Sequence, residues 1–181
     1  MLLGVGVCRA GPITYNINQT IGAGSVTGTI QTDGATGVLV ATDITAWNLE
    51  LNGVGASFNL TNLNSGVFLT GSDVTATATN LFFNYSGTDS GHLLFQVSFG
   101  NGSNYYCNSP SLTTLCFQGA SVVPQAFNNP SAQFASLTGN QIIGTAPAAV
   151  IPEPASMALL SVGLVGLGAL RRRRRAHRGE A

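Results

Sequence analysis

Hydrophobic and polar residues alternate along most of the first 143 residues of the chain. The alternation has a period of two and is clearest at Leu93, Phe95, Val97 and Phe99. It also runs through four other groups: Ile13, Tyr15 and Ile17; Val26 and Ile30; Trp47, Leu49 and Leu51; and Phe58 and Leu60. Successive side chains of a strand point to opposite faces, so this pattern predicts strands that bury one face. No stretch before residue 155 shows helical periodicity.

The patterned runs end in residues that favour turns. Asp33-Gly34, Asn52-Gly53 and Asn101-Gly102 predict two-residue hairpin turns. Asn64-Ser65-Gly66 and Thr88-Asp89-Ser90-Gly91 predict longer ones. Strands are therefore expected near residues 12–18, 24–32, 36–42, 44–51, 55–62, 67–70, 74–85, 91–99, 103–107 and 112–117. One sheet of this size would leave an apolar face uncovered, so the prediction is an all-β fold, an antiparallel β-sandwich or jelly-roll-like body.

The residues from 151 to 181 follow a different pattern. Pro152, Glu153 and Pro154 precede sixteen almost wholly apolar residues, 155–170. Five consecutive arginines follow: Arg171, Arg172, Arg173, Arg174 and Arg175. A helix of sixteen residues is roughly 24 Å long, shorter than the ~30 Å hydrocarbon core of a bilayer. The pattern predicts a single C-terminal transmembrane helix of marginal length, with the arginines and the C-terminus on the cytoplasmic side.

These three features in this order resemble the PEP-CTERM sorting signal of Gram-negative bacteria. Pro152, Glu153 and Pro154 match the motif, although this chain continues beyond the arginines to Ala181. The resemblance implies an exported protein whose tail is recognised and removed by exosortase, an integral membrane cysteine protease. It also implies a transient membrane anchor and a surface or extracellular-matrix protein associated with exopolysaccharide or biofilm.

The chain is predicted to have four segments. Residues 1–10 are interpreted as the remnant of a signal peptide, because their apolar run lacks a positively charged start. Residues 11–143 form the β body, and residues 144–150 form a spacer of small residues and proline. Residues 151–181 carry the sorting signal. We expect an inner-membrane precursor whose mature body is periplasmic, on the cell surface or extracellular.

Charge is distributed unevenly. All seven basic residues are arginines, and none lies between residues 11 and 150. That segment contains five acidic residues, so its net charge is −5: Asp33, Asp43, Glu50, Asp73 and Asp89. Binding to nucleic acid depends on Lys and Arg at phosphates, so the composition excludes it. An acidic glycan would be repelled unless a divalent cation bridged it.

Cysteine usage agrees with export. Cys107 and Cys116 enclose eight residues, and an oxidising compartment favours a disulfide between them. The alternative is a pair of metal ligands. Zinc would need two more Cys or His ligands nearby, and His92 is the single histidine of the body.

Catalytic chemistry has few candidate residues. His92 begins a predicted strand, with its side chain opposite to Leu93, and is interpreted as a surface or edge histidine. Pairs of the five acids could act in glycoside hydrolysis or hold calcium, but solvated or capping roles are the favoured interpretation. We therefore predict a non-enzymatic protein with no cofactor, and a secreted hydrolase is the third choice.

Four aromatic residues could form a platform for sugar rings and suggest the second choice, a carbohydrate-binding β-sandwich module: Trp47, Tyr85, Tyr105 and Tyr106. Trp47 shares a face with Leu49 and Leu51, which favours burial in the core. Tyr105 and Tyr106, beside the predicted disulfide, are the candidates for glycan contact.

Overall fold

Antiparallel strands make up almost all of the regular structure. The computed structural model describes residues 11–88, 90–97, 104–113, 116–124 and 131–147. The strands are β1 (Ile13–Ile21), β2 (Gly24–Thr32), β3 (Gly37–Val38), β4 (Ile44–Gly53), β5 (Ala56–Thr61), β6 (Ser65–Thr70), β7 (Val74–Ala76), β8 (Asn80–Asn84), β9 (His92–Val97), β10 (Tyr105–Ser109), β11 (Gly119–Val123), β12 (Gln133–Ala135) and β13 (Asn140–Thr145). A 3-10 helix at Ala41–Asp43 precedes β4. The predicted all-β, antiparallel class is confirmed for this part of the chain.

The strands form two sheets. One has eight strands in the order β3-β7-β8-β13-β1-β2-β4-β5, and the other has five in the order β12-β11-β10-β9-β6. Every recorded strand pair is antiparallel. The last strand, β13, lies inside the larger sheet, between β8 and β1.

One hydrophobic core contains side chains from both sheets. Tyr15, Ile30 and Leu49 come from the larger sheet, and Phe95 and Tyr106 come from the smaller one, all at 0% exposure. Trp47 packs against this core as predicted, with its ring centroid 5.4 Å from that of Phe95. Its indole nitrogen donates a hydrogen bond of 2.8 Å to Ser65. The period of two therefore identified the buried face correctly.

Three strand predictions need correction. The expected strand at 74–85 is two strands, because Thr77 and Asn80 close a turn in which the Asn80 amide donates to Thr77 Oγ1 at 2.9 Å. The expected strand at 36–42 is reduced to Gly37–Val38. The described residues of 112–117 form no strand, since the segment belongs to the loop that Cys116 closes, and the next strand begins at Gly119.

The hairpin predictions were also partly wrong. The β4–β5 turn is Val54-Gly55, not Asn52-Gly53, because Gly53 still pairs with Ala56. Gly55 supplies the positive φ, 74°, that such a turn requires. Asp33-Gly34 does not join a hairpin either, since β2 pairs with β4 while β3 pairs with β7. Asn101-Gly102 lies outside the described residues.

The predicted spacer begins too early. Gly144 and Thr145 are part of β13, and the Ala146 amide donates a 2.7 Å hydrogen bond to the Thr79 carbonyl. The small residues of this segment fit there because a side chain at Gly144 would collide with Ile17 and Tyr15. The predicted transmembrane helix, 155–170, lies outside the described residues. Within those residues, no helix has the length and hydrophobicity needed to span a bilayer.

The predicted disulfide is present. Cys107 of β10 is bonded to Cys116, and their Cα atoms are 5.9 Å apart. Both cysteines are buried. The bond closes the segment that follows β10 before β11 begins at Gly119.

Two buried tyrosine hydroxyls link the sheets. Tyr106 of β10 donates to Gln19 Oε1 of β1, and Tyr85, just after β8, donates to Asn108 Oδ1 of β10. Burial raises the pKa of both phenols well above 10.0, their ordinary value. A charged phenolate in this position would lack water, so both hydroxyls stay protonated in the folded protein.

Removal of the disulfide should lower stability. We expect Cys107→Ser/Cys116→Ser to reduce the free energy of unfolding by about 2.5 to 3 kcal/mol, the chain-entropy value for a loop of this size. Urea denaturation followed by Trp47 fluorescence measures this. Cys8→Ser, which changes the third cysteine, is the control and should have no effect. A loss below about 0.5 kcal/mol in the double variant would contradict the prediction.

Alkaline pH should destabilise the fold through Tyr85 and Tyr106. Their folded pKa values lie above the unfolded value of 10.0, so their contribution is complete below pH 10 and is lost as the pH rises above it. Above pH 10, each tyrosine should lower the free energy of unfolding by about 1.4 kcal/mol per pH unit. Urea denaturation at pH 9, 10 and 11 measures the free energy of unfolding. It should fall less steeply with pH in Tyr85→Phe/Tyr106→Phe than in the wild type. Equal pH slopes in the two proteins would refute the prediction.

Candidate functional site

The outer face of the five-stranded sheet carries a second, smaller hydrophobic cluster. Leu94, Cys107 and Cys116 are buried there, and Phe68 and Tyr105 pack against them. The strand register places Phe134, Ser121, Cys107, Leu94 and Phe68 in one row across all five strands. Tyr106 and Phe95 point into the main core, so their neighbours in sequence must point outward to this face.

An exposed pair of aromatic rings lies at one end of this row. Phe117 follows the disulfide and is 46% exposed, and Phe134 on the edge strand β12 is 41% exposed. Their ring centroids are 4.2 Å apart with an interplanar angle of 53°. We call Phe68, Tyr105, Phe117 and Phe134 the outer aromatic surface. The sequence does not predict Phe117 and Phe134 as surface contacts, because neither belongs to a regular run of alternating residues.

The structure separates the two predicted glycan contacts. Tyr105 is half-buried on the outer face, where burial raises its pKa. Tyr106 points the opposite way and is 0% exposed in the main core, with its ring 6.1 Å from Phe95. The expectation that Tyr106 is exposed is therefore wrong. Adjacent strand residues face opposite sides, so the two tyrosines could not both be surface residues on one face.

His92 lies at the start of β9 and is partly buried. Its Nδ1 is 3.2 Å from the Thr70 hydroxyl on the edge strand β6. Burial lowers the pKa of the imidazole, and a backbone hydrogen bond near Ser90 partly offsets this. The ring is thus neutral near pH 7. The strand that carries His92 is an inner strand of its sheet, while its contact Thr70 lies on the edge strand.

Three of the acidic residues serve local structure. Asp33 Oδ1 accepts from the Ala35 amide at 2.9 Å, and Asp43 Oδ2 accepts from the Val40 amide at 2.8 Å. Glu50 Oε2 lies 3.3 Å from Asn59 Nδ2 on the neighbouring strand. Among the described residues, no three His, Cys, Asp or Glu side chains are grouped closely enough to hold a metal ion.

Asp73 differs from the other acids that the structure describes because it is buried, at 3% exposure. Its carboxylate lies against Gly87 and Gly91, and a Cβ at Gly87 would come within 1.8 Å of Asp73 Oδ1. Both glycines belong to the connection that leads from β8 in one sheet to β9 in the other. Gly87 and Gly91 leave the space that the Asp73 carboxylate occupies, and they are the feature of the sequence that is related to its burial.

The predicted sorting residues lie outside the described part of the chain. These are Pro152, Glu153, Pro154 and the cluster Arg171, Arg172, Arg173, Arg174 and Arg175. Asp89 and residues 1–10 lie outside it as well. Evidence for the tail therefore comes from its sequence.

Comparison with known proteins identifies one element. Neither the curated proteins nor the solved structures gave a match to this chain. The family of the PEP-CTERM protein-sorting motif matches residues 150–175. This match includes Pro152, Glu153, Pro154 and the whole arginine cluster, and the motif implies an exported, membrane-anchored precursor. The chain therefore carries a PEP-CTERM protein-sorting motif directly after its β body.

Proposed function

We propose that this protein is a non-enzymatic surface or extracellular-matrix protein that exosortase releases from a temporary membrane anchor. The observation that carries the proposal is the position of the motif. It begins at residue 150, and the last strand of the body ends at Thr145. The precursor is thus a folded β body followed, after four residues, by its sorting signal.

The charges of the tail support one orientation in the membrane. An arginine block beside an apolar span is retained on the cytoplasmic side, so the body is delivered to the outer side. The span of sixteen residues is short for a bilayer, and long arginine side chains extend its reach towards the headgroups. A span of marginal length suits an anchor that is needed only until cleavage.

Features of the body support delivery to an oxidising compartment. The Cys107–Cys116 disulfide closes a loop at the surface of the smaller sheet, and such bonds persist outside the cytoplasm. The body, predicted to be a β-sandwich, has two sheets around one core. Asp33, Asp43, Glu50 and His92 each make local hydrogen bonds, which supports a structural rather than a catalytic role for them.

Processing should depend on the motif and on the arginines. We expect Glu153→Ala, and separately deletion of residues 171–175, to leave unprocessed precursor in the membrane fraction of the native host. Glu180→Ala, which removes an acid of the same tail beyond the arginines, should be released like the wild type. Immunoblots of membrane and medium fractions measure this. Equal release of all four proteins would refute the proposal.

A second candidate function is contact with a neutral polysaccharide. The outer aromatic surface favours it, because aromatic rings provide flat apolar faces on which pyranose rings stack. Its four residues carry no formal charge, while the body as a whole is net −5, which disfavours an acidic glycan. The contact residues in this proposal are Tyr105, Phe117 and Phe134.

Pull-down on an insoluble neutral polysaccharide tests this candidate. We expect Phe117→Ala/Phe134→Ala to reduce the retained fraction at least about tenfold, as the loss of two ring contacts would do. Tyr105→Ala should reduce it less because that side chain is half-buried. Leu63→Ala, which removes an apolar side chain that is 92% exposed elsewhere, is the matched control. No retention of the wild type would dispose of the candidate.

A further inference from the structure

The edge strand β5 lacks the features that usually prevent strands of two molecules from pairing. It is the last strand of the eight-stranded sheet, and among the described strands it pairs with β4 alone. Its sequence, Ala-Ser-Phe-Asn-Leu-Thr, contains neither a charged residue nor a proline. Natural edge strands are commonly protected by such residues, because an open edge presents unpaired N–H and C=O groups to other chains.

The side chain of Asn64 occupies part of this edge. Its Oδ1 accepts a hydrogen bond of 2.7 Å from the Thr61 amide, and its Nδ2 donates one of 2.9 Å to the Asn59 carbonyl. Both partners are main-chain groups of β5, two positions apart. Residues two apart in a strand direct their main-chain groups to the same edge. The carboxamide therefore takes the place that a residue of a neighbouring strand would fill.

The turn that holds Asn64 is fixed independently of its side chain. The Asn64 amide donates to the Thr61 carbonyl at 3.1 Å, and the Ser65 hydroxyl donates to the same carbonyl at 2.6 Å. These bonds involve no atom of the Asn64 carboxamide. Shortening that side chain should therefore open the edge without changing the path from β5 to β6.

The geometry points to the outer edge of β5 as a pairing surface for a second copy of this chain, which the Asn64 side chain keeps closed. Two β5 strands related by a two-fold axis would pair antiparallel. The core-facing sides of the two strands would then lie on the same side of the joined sheet. Phe58 and Leu60 of both copies would then continue one core-facing side, and Ser57, Asn59 and Thr61 would continue the solvent side. No charge on either strand would oppose the contact.

Ser57 marks the part of the edge that Asn64 does not reach. It is two positions before Asn59, so its main-chain groups point to the same edge, and its residue is exposed. Pairing between copies would begin there and extend along the strand once the Asn64 bonds are absent. The substitution Ser57→Lys should therefore close the outer edge of β5 again, because a charged residue on an edge strand disfavours pairing.

Sedimentation velocity of the full-length chain in mild detergent tests the proposal. We expect the wild type to be monomeric and Asn64→Ala to dimerise with a dissociation constant at least about tenfold lower, as the loss of two blocking hydrogen bonds implies. Asn62→Ala, an exposed asparagine of the same turn, is the matched control and should remain monomeric. Asn64→Ala/Ser57→Lys should return to the monomer.

Two results would overturn the proposal. One is an Asn64→Ala variant that keeps native circular dichroism and stays as monomeric as the wild type. The other is a dimer of Asn64→Ala that Ser57→Lys does not dissociate, which would place the contact elsewhere. Asn64→Ser provides a second variant if Asn64→Ala does not fold, because serine suits a turn, adds no charge and is too short to keep both side-chain hydrogen bonds to β5. It should dimerise more strongly than the wild type, and an unchanged monomer would count against the proposal.

Discussion

The hydrogen bonds of two buried tyrosines set the relative position of the two sheets. Tyr106 donates to Gln19, and Tyr85 donates to Asn108, so each bond joins one sheet to the other. If the sheets slid past one another, polar groups of the buried Tyr85, Tyr106 and Asn108 would lose their partners, at a cost well above that of an ordinary surface contact. Because Tyr106 must point inward, Tyr105 and Cys107 must point outward. The disulfide and the outer aromatic surface are therefore consequences of this inward tyrosine.

The sequence was sufficient for the class of the fold but not for its pairing. The alternation at Leu93, Phe95 and Val97 correctly predicts a strand and its buried face, because it depends on the geometry of a single strand. The insertion of β13 between β8 and β1 depends on contacts between distant segments, which no local pattern records. Tyr105 and Tyr106 are a second example. Two adjacent tyrosines fit a period of two whichever of them faces the core, so the pattern does not say which one is buried.

Neutral amides and hydroxyls perform tasks in this body for which many proteins use charged residues. Asn64 covers an edge, Thr77 closes a turn, and Asn59 joins two strands by donating to Asn48 at 2.8 Å. Such bonds are not weakened by salt as ion pairs are. A body that relies on them keeps its surface contacts over a wide range of ionic strength, which suits a protein that works outside the regulated interior of a cell.

The central position of β13 has a consequence for the order of events during synthesis. This strand is the last one before the sorting motif, yet both of its edges are paired, with β8 on one side and β1 on the other. The larger sheet therefore remains split into two halves until β13 has been made and can join them. Only four residues separate β13 from the sorting motif, so the sheet is completed late in the synthesis of the chain. A chain that ended before β13 would thus have two separate half-sheets in place of the eight-stranded sheet.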